Sequence, residues 1–320
     1  MATVVRPLPA TGAATRATKS HLAQPSGCFC RRPDEDGAWE VIEAYHANEL
    51  GYLVPLRDYE TLAASLPFLR NQYRNFTEFS TARLTEVLGP HQQDLHEIPI
   101  RTLDSVVLLN RGDHFVLEAL PREAQFAPIF GVAVADFDHD GCEDAVVAQN
   151  FFGVAPMTSR HDAGLGLWLR GDGRGGFEAV SPSASGIRVY GEGRGLAVGD
   201  FDQDGRTDVA VGQNAQVTRL FRNVGAKPGL RVRLEGPPGN PTAVGASIRL
   251  VAADGTGGPA REVRAGGGYW SQDSSIPVLP RDPAARAIAV RWPGGQETEF
   301  ALPSNVASLV VTPRGVRGLK

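Results

Sequence analysis

One nine-residue stretch occurs twice in this chain and limits how it can fold. Asp136-Phe137-Asp138-His139-Asp140-Gly141-Cys142-Glu143-Asp144 returns as Asp200-Phe201-Asp202-Gln203-Asp204-Gly205-Arg206-Thr207-Asp208, so both copies read D-F-D-x-D-G-x-x-D. The flanks repeat as well. Val132-Ala133-Val134-Ala135 and Leu196-Ala197-Val198-Gly199 precede the copies, and Ala145-Val146-Val147-Ala148-Gln149-Asn150 and Val209-Ala210-Val211-Gly212-Gln213-Asn214 follow them. Short Val/Ala-rich segments on either side of a tight polar loop place each loop at the tip of a β-hairpin. Four carboxylates in so few residues repel one another unless a cation sits among them, so both loops are candidate metal sites.

A D-x-D-x-D-G start also opens an EF-hand loop, but that motif requires a bidentate Glu at its twelfth position and a helix on each side. Here the twelfth positions are Val147 and Val211, between strand-like flanks. The remaining reading is a compact loop in which the side chains at positions 1, 3, 5 and 9 and the backbone carbonyl at position 7 offer oxygen. The expected ligands are Asp136, Asp138, Asp140, the Cys142 carbonyl and Asp144, then Asp200, Asp202, Asp204, the Arg206 carbonyl and Asp208. An all-oxygen set with no His or Cys side chain favours Ca²⁺ over zinc, copper or octahedral Mg²⁺. Phe137 and Phe201 are expected beneath the loops as core residues.

Catalysis at such a metal would need an open coordination position beside an acid, base or nucleophile. The chain has scattered histidines and no H-E-x-x-H, G-x-S-x-G or P-loop motif, so the calcium is expected to be structural.

Gly141 and Gly205 stand 64 residues apart, a period that suits one propeller-type unit of about four strands. The first unit is expected from Ser105 through the Asp136 loop to Leu169, and the second closes near Gly225. A third, decayed copy is expected at Asp34–Glu40, where Arg32 takes the first ligand position. Gly37 stands 104 residues before Gly141, so that unit must hold an insertion of roughly 40 residues. Tyr59–Ser65, stopped by Pro67, and the near-helical spacing of Phe76, Phe79, Leu84, Val87 and Leu88 supply a helical insert over about 58–89. Asn75-Phe76-Thr77 within it is a formal glycosylation sequon to which no role is assigned.

Residues 1–33 are rich in Ala, Thr, Pro and Arg without apolar periodicity and are expected to be disordered. They lack the continuous apolar run of about 7 to 15 residues that a signal peptide needs. Beyond Lys227-Pro228-Gly229 the texture changes to alternating apolar and polar segments separated by Gly-rich turns, so 229–313 reads as a small β-sandwich. With Gly 37 and Pro 23 among 320 residues, the composition fits this mainly β chain of many short strands. A formal charge of −4 gives no argument for a nucleic-acid partner, and no apolar run is long enough to span a membrane. Cys28, Cys30 and Cys142 form neither a zinc pattern nor a disulfide framework.

The two loops with V-A-V before and V-x-Q-N after resemble FG-GAP (VCBS-type) repeats, the β-propeller blades also found in integrin α-subunits. The tail resembles the ASPIC/UnbV domain that follows such repeats in the cartilage acidic protein family. Val244-Gly245-Ala246, Arg261-Glu262-Val263, Gly266-Gly267-Gly268-Tyr269-Trp270-Ser271-Gln272 and Val290-Arg291-Trp292-Pro293-Gly294-Gly295 carry that likeness. Ile276–Asp282 departs from the apolar, Gly-containing stretch usual after S-Q. The resemblance implies a partial β-propeller of FG-GAP-type blades over 34–226 and an ASPIC/UnbV-like domain over 229–313. It also implies a Ca²⁺-binding interaction or adhesion module, extracellular or periplasmic, with a protein or carbohydrate partner. A closed propeller of about six or seven such units would exceed the chain. The chain is therefore expected to be the C-terminal part of a longer protein, or to complete its blades on a partner. The competing reading, an enzyme of a natural-product pathway with its active site in the propeller funnel, requires convergent titratable groups where blades meet.

Overall fold

The computed structural model describes residues 2–5, 26–31, 40–90, 95–154 and 159–319. They fall into two compact units, one of Met1–Arg6, Ser105–Gly153 and Arg160–Lys320, the other of Pro7–Asp104 and Val154–Ser159.

The first unit holds three antiparallel blade sheets. The middle one has four strands in the order Phe177–Val180, Leu167–Gly171, Asp144–Gln149, Ile129–Ala135. Every residue of Asp144–Gln149 is buried, and the two-residue period of a strand explains how. Ala145 and Val147 face a core with Val107, Leu109, Ile129, Leu167 and Leu169. Val146 and Ala148 face the opposite core, with Ile187, Val189, Leu196, Val209 and Val211. The sheet is thus covered on both faces. On one side lies the sheet of Ala2–Val5, Val106–Asn110 and Phe115–Ala119; on the other lies Glu192–Gly199, Asp208–Asn214 and Gln216–Phe221. Stacked antiparallel meanders of this kind give the mainly β, propeller-like architecture that the repeat predicts.

This division moves one expected boundary. Val106–Asn110 pairs with Phe115–Ala119 on one side and Ala2–Val5 on the other rather than with the Asp136 hairpin, so the first loop-bearing blade starts at Ile129. Two segments within 1–33, expected to be without regular structure, are strands: Ala2–Val5 and Ser26–Arg31.

Where the middle and third sheets meet, glycine sets the distance. A Cβ on Gly131 would stand 2.6 Å from the Arg194 carbonyl oxygen, and one on Gly193 would stand 3.0 Å from Ala148 Cβ. Both glycines sit at register shifts of their strands, where the ladder bends one sheet towards its neighbour. The same ends of these strands, opposite the acidic loops, are closed by a polar knot. Glu192, 4% exposed, accepts from Phe152 N (2.6 Å), Arg194 Nη2 (2.6 Å) and Asn214 Nδ2 (2.7 Å). The Arg194 guanidinium lies 3.8 Å over the Phe130 ring. Asn150, fully buried, bonds Gly164 and Gly191.

Residues from Leu230 onward form two four-stranded sheets. One is ordered Val278–Leu279, Leu230–Leu234, Ser308–Thr312, Gly315–Leu319; the other Arg261–Glu262, Ser247–Ala252, Ala285–Arg291, Glu297–Ala301. Their inward residues, among them Val232, Leu234, Ile248, Ile288, Val290, Leu309 and Val311, make one core, as in a β-sandwich. Trp292 closes it, donating Nε1–H to Thr298 Oγ1 (2.8 Å).

The second unit contains one antiparallel sheet, ordered Tyr52–Pro55, Glu40–Ala47, Ser26–Arg31, Leu95–Ile100. Four short helices follow one another at Tyr59–Ser65, Leu69–Gln72, Phe76–Ser80 and Leu84–Leu88, and bury Leu62, Leu69, Phe79, Val87 and Leu88. Asn75, the sequon residue, caps one helix by accepting from Glu78 N (2.9 Å). Asp34–Asp36 and Gly37 of the expected decayed loop lie outside the described residues, and Glu40 opens a strand of this sheet.

Substituting Gly131→Ala forces a methyl group into a backbone carbonyl, an overpacking expected to cost about 1–3 kcal/mol. Chemical denaturation should show it as a lower midpoint at unchanged slope.

Candidate metal centre

Both acidic loops join antiparallel strands at their tips, with Ala135 opposite Asp144 and Gly199 opposite Asp208. The turn needs left-handed backbone at the fourth and sixth positions. His139 (φ 60) and Gln203 (φ 64) adopt it with side chains, and Gly141 (φ 93) and Gly205 (φ 83) without one. Val147 and Val211, at the EF-hand's twelfth position, are buried in strands.

The first carboxylate turns inward and folds the loop around itself. Asp136 accepts from Asp140 N (3.1 Å) and Gly141 N (2.9 Å); Asp200 accepts from Asp204 N and Gly205 N, both at 2.9 Å. The ninth carboxylate ties loop to sheet. Asp144 takes Phe137 N (3.0 Å) and Gly171 N (2.8 Å), and Asp208 takes Phe201 N (3.0 Å) and Asn223 N (2.8 Å). The two sites therefore share one hydrogen-bond scheme, in which the last donor is Gly171 at the end of the first sheet's third strand and Asn223 just past the end of the second's.

Ligand oxygens of Asp136, Asp138 and Asp144 lie within 4.8 Å of one another, as do those of Asp200, Asp202 and Asp208. Positions 1, 3 and 9 are thus brought together. The fifth carboxylates instead accept from the seventh amides: Asp140 from Cys142 N (2.8 Å), Asp204 from Arg206 N (3.0 Å). Asp138 Oδ1 is buried without a hydrogen-bond partner, a free acceptor beside two other carboxylates. The donor set and that free oxygen fit a hard divalent cation at the first loop.

Several functional groups escaped the sequence reading. Arg170 Nη2 lies 2.6 Å from Asp138 Oδ2, and Arg222 pairs in the same way with Asp202 from the corresponding strand end. In the second loop Arg206, expected only as a carbonyl ligand, places Nη1 2.7 Å from Asp204 Oδ2, and Arg231 Nε stands 2.9 Å from Asp200 Oδ2. Asn223 Nδ2 donates to the Phe137 carbonyl (2.7 Å), linking the second blade to the first loop. Phe137 is buried, but Phe201 is 49% exposed. The first loop's Phe is covered by the third sheet, whereas among the described residues no further blade sheet follows the second loop.

Burial raises the carboxyl pKa of Asp136, of Asp208 and of Asp144, the last to about 6. At Asp204 burial also pushes upward, but the bonds from Arg206 and Arg222 outweigh it and hold that carboxyl low.

A pair of hairpin-tip acidic loops on stacked antiparallel sheets, followed by a β-sandwich, defines a repeat protein of the blade-forming class. Residues 193–217 match the FG-GAP repeat family and residues 236–316 match the ASPIC and UnbV family. The chain thus carries an FG-GAP repeat followed by an ASPIC/UnbV domain, in the order that the sequence suggests. No curated protein matches the chain significantly.

With its pKa above the ordinary 3.8, Asp144 keeps its proton in the folded state over a range where the unfolded chain has lost it. In EDTA this group therefore lowers stability as pH rises from about 4 to about 6. Urea unfolding of Asp144→Asn across that range should show a shallower decline than the parent protein.

Proposed function

We propose that this chain is a calcium-stabilised interaction module of the extracellular or periplasmic space, in which the cation stiffens a hairpin tip and the blades present a binding surface. The observation that carries the metal reading is the first loop, where Asp136, Asp138 and Asp144 converge and Asp138 Oδ1 has no other partner. Asp140 and the Cys142 carbonyl are the further ligands in this reading, and the second loop offers Asp200, Asp202, Asp204, the Arg206 carbonyl and Asp208. Water or bidentate binding completes the six to eight oxygens that Ca²⁺ takes.

FG-GAP repeats suggest an extracellular interaction or adhesion module, which supports the assignment of role and compartment. No helix among the described residues is long and apolar enough to cross a membrane. The partner is a protein or a carbohydrate.

Calcium at about 100-fold above its dissociation constant should add about 2.7 kcal/mol to the folded state for each site filled. Calorimetric melting in Ca²⁺ against EDTA should therefore show an upward shift that disappears in an Asp138→Asn, Asp202→Asn double variant. Equal melting temperatures in the two buffers would remove the metal from the account.

A further inference from the structure

The two loops share their backbone scheme but not their charge balance. In the first, among the described residues, one guanidinium, that of Arg170, faces the four aspartates of the ligand positions, through Asp138, while Arg261 of the β-sandwich pairs with Glu143, outside that set. In the second, three do: Arg222 on Asp202 and Asp204, Arg206 on Asp204, and Arg231 on Asp200. Among the described residues, two of these have no counterpart on the ligand-position aspartates of the first copy. Arg206 occupies the position of Cys142, and Arg231 comes from Leu230–Leu234, the first strand of the β-sandwich.

Arg231 and Asp200 are well enclosed, with side chains 18% and 1% exposed. Asp200 Oδ2 also takes Gly205 N, so this oxygen already has a hydrogen bond and a cationic partner. At the first loop the third carboxylate keeps a free buried oxygen; in the second, Asp202 Oδ1 faces Asp204 N at 3.3 Å and Oδ2 faces Arg222. A divalent cation entering the second loop would have to displace fixed positive charge, since guanidinium and cation compete for the same carboxylates.

We propose that the loops have parted in role: the first binds the divalent cation, and the second is neutralised by arginine and serves as a cation-independent joint to the β-sandwich. This rests on the calcium reading given above for the first loop. Arg231 stands where the cation's charge would act, and it brings the sandwich with it: Gly229 N donates to Gly205 O at 2.7 Å beside the ion pair.

Isothermal titration of the full chain with CaCl₂ tests the division. The expected result is one equivalent bound, lost in Asp138→Asn and kept in Asp202→Asn. An Arg206→Gln, Arg222→Gln, Arg231→Gln variant should gain a second equivalent. Melting in EDTA supplies a metal-free reading, since Arg231→Gln leaves Asp200 buried without its charge partner and should melt several degrees lower. Two equivalents in the parent protein, or loss of binding in Asp202→Asn, would overturn the proposal. If the parent protein binds no calcium, the calcium reading falls, and the EDTA melting alone decides the arginine joint. An unchanged melting temperature for Arg231→Gln would then sink the joint as well.

Discussion

Everything at the loop-bearing ends of the sheets follows from the need to satisfy two buried carboxylates per loop. A buried carboxylate without donors or a counter-charge costs several kcal/mol, so the backbone arranges itself to supply both. The first Asp collects two amides from its own loop, and this sets the left-handed residues at positions 4 and 6. The ninth Asp collects one amide from the loop and one from the third strand, which fixes where that strand must end. The acidic loop thereby specifies the hairpin tip and part of the sheet behind it, whether or not a cation is bound.

At the other ends of the strands the same problem is solved with neutral and basic partners. Asn150 there is fully buried in its hydrogen bonds, and Glu192 is held by Arg194, Asn214 and the Phe152 amide. A blade of this kind is thus a thin apolar layer clamped between two polar knots. Its second strand can be buried on both faces because its polar work is done at its two ends.

The repeated loop, the hairpins and the alternating tail strands were readable because their spacing is local. The guanidinium partners were not. Arg170 follows Asp144 by a long excursion through Asn150 and His161, whereas Arg222 follows Asp208 after a tight turn, so the 64-residue period does not superimpose them. The equivalence appears only when both arginines are seen at the ends of third strands, facing the carboxylate at the third loop position. The repeated Gln-Asn after each loop was visible as a string, but its role depends on neighbours distant in sequence, such as Gly164, Gly191 and Glu192. Spacing alone places Val106–Asn110 with the first acidic loop, whereas it belongs to the neighbouring sheet, because a strand carries its pairing partner's identity nowhere in its own pattern.

The last of the three blade sheets exposes an edge, and the β-sandwich is built onto it. Strand Glu192–Gly199 ends its sheet, so its outer amides and carbonyls would be open to pairing with another chain. Val198 N instead donates to Asp273 Oδ1 (2.9 Å), and Ser274 N donates to Val198 O (2.8 Å). Gly195 permits the close pass of the Tyr269–Trp270 turn, because a Cβ there would stand 3.0 Å from the Tyr269 carbonyl oxygen. Asp273 is half-buried at this contact, and the desolvation raises its carboxyl pKa. Repeat arrays need a terminal element that finishes their last exposed edge. The order of the two families along the chain, repeat first and ASPIC/UnbV domain second, thus has a physical basis: the sandwich takes hold of the last blade at its inner strand and at its arginine-filled loop together.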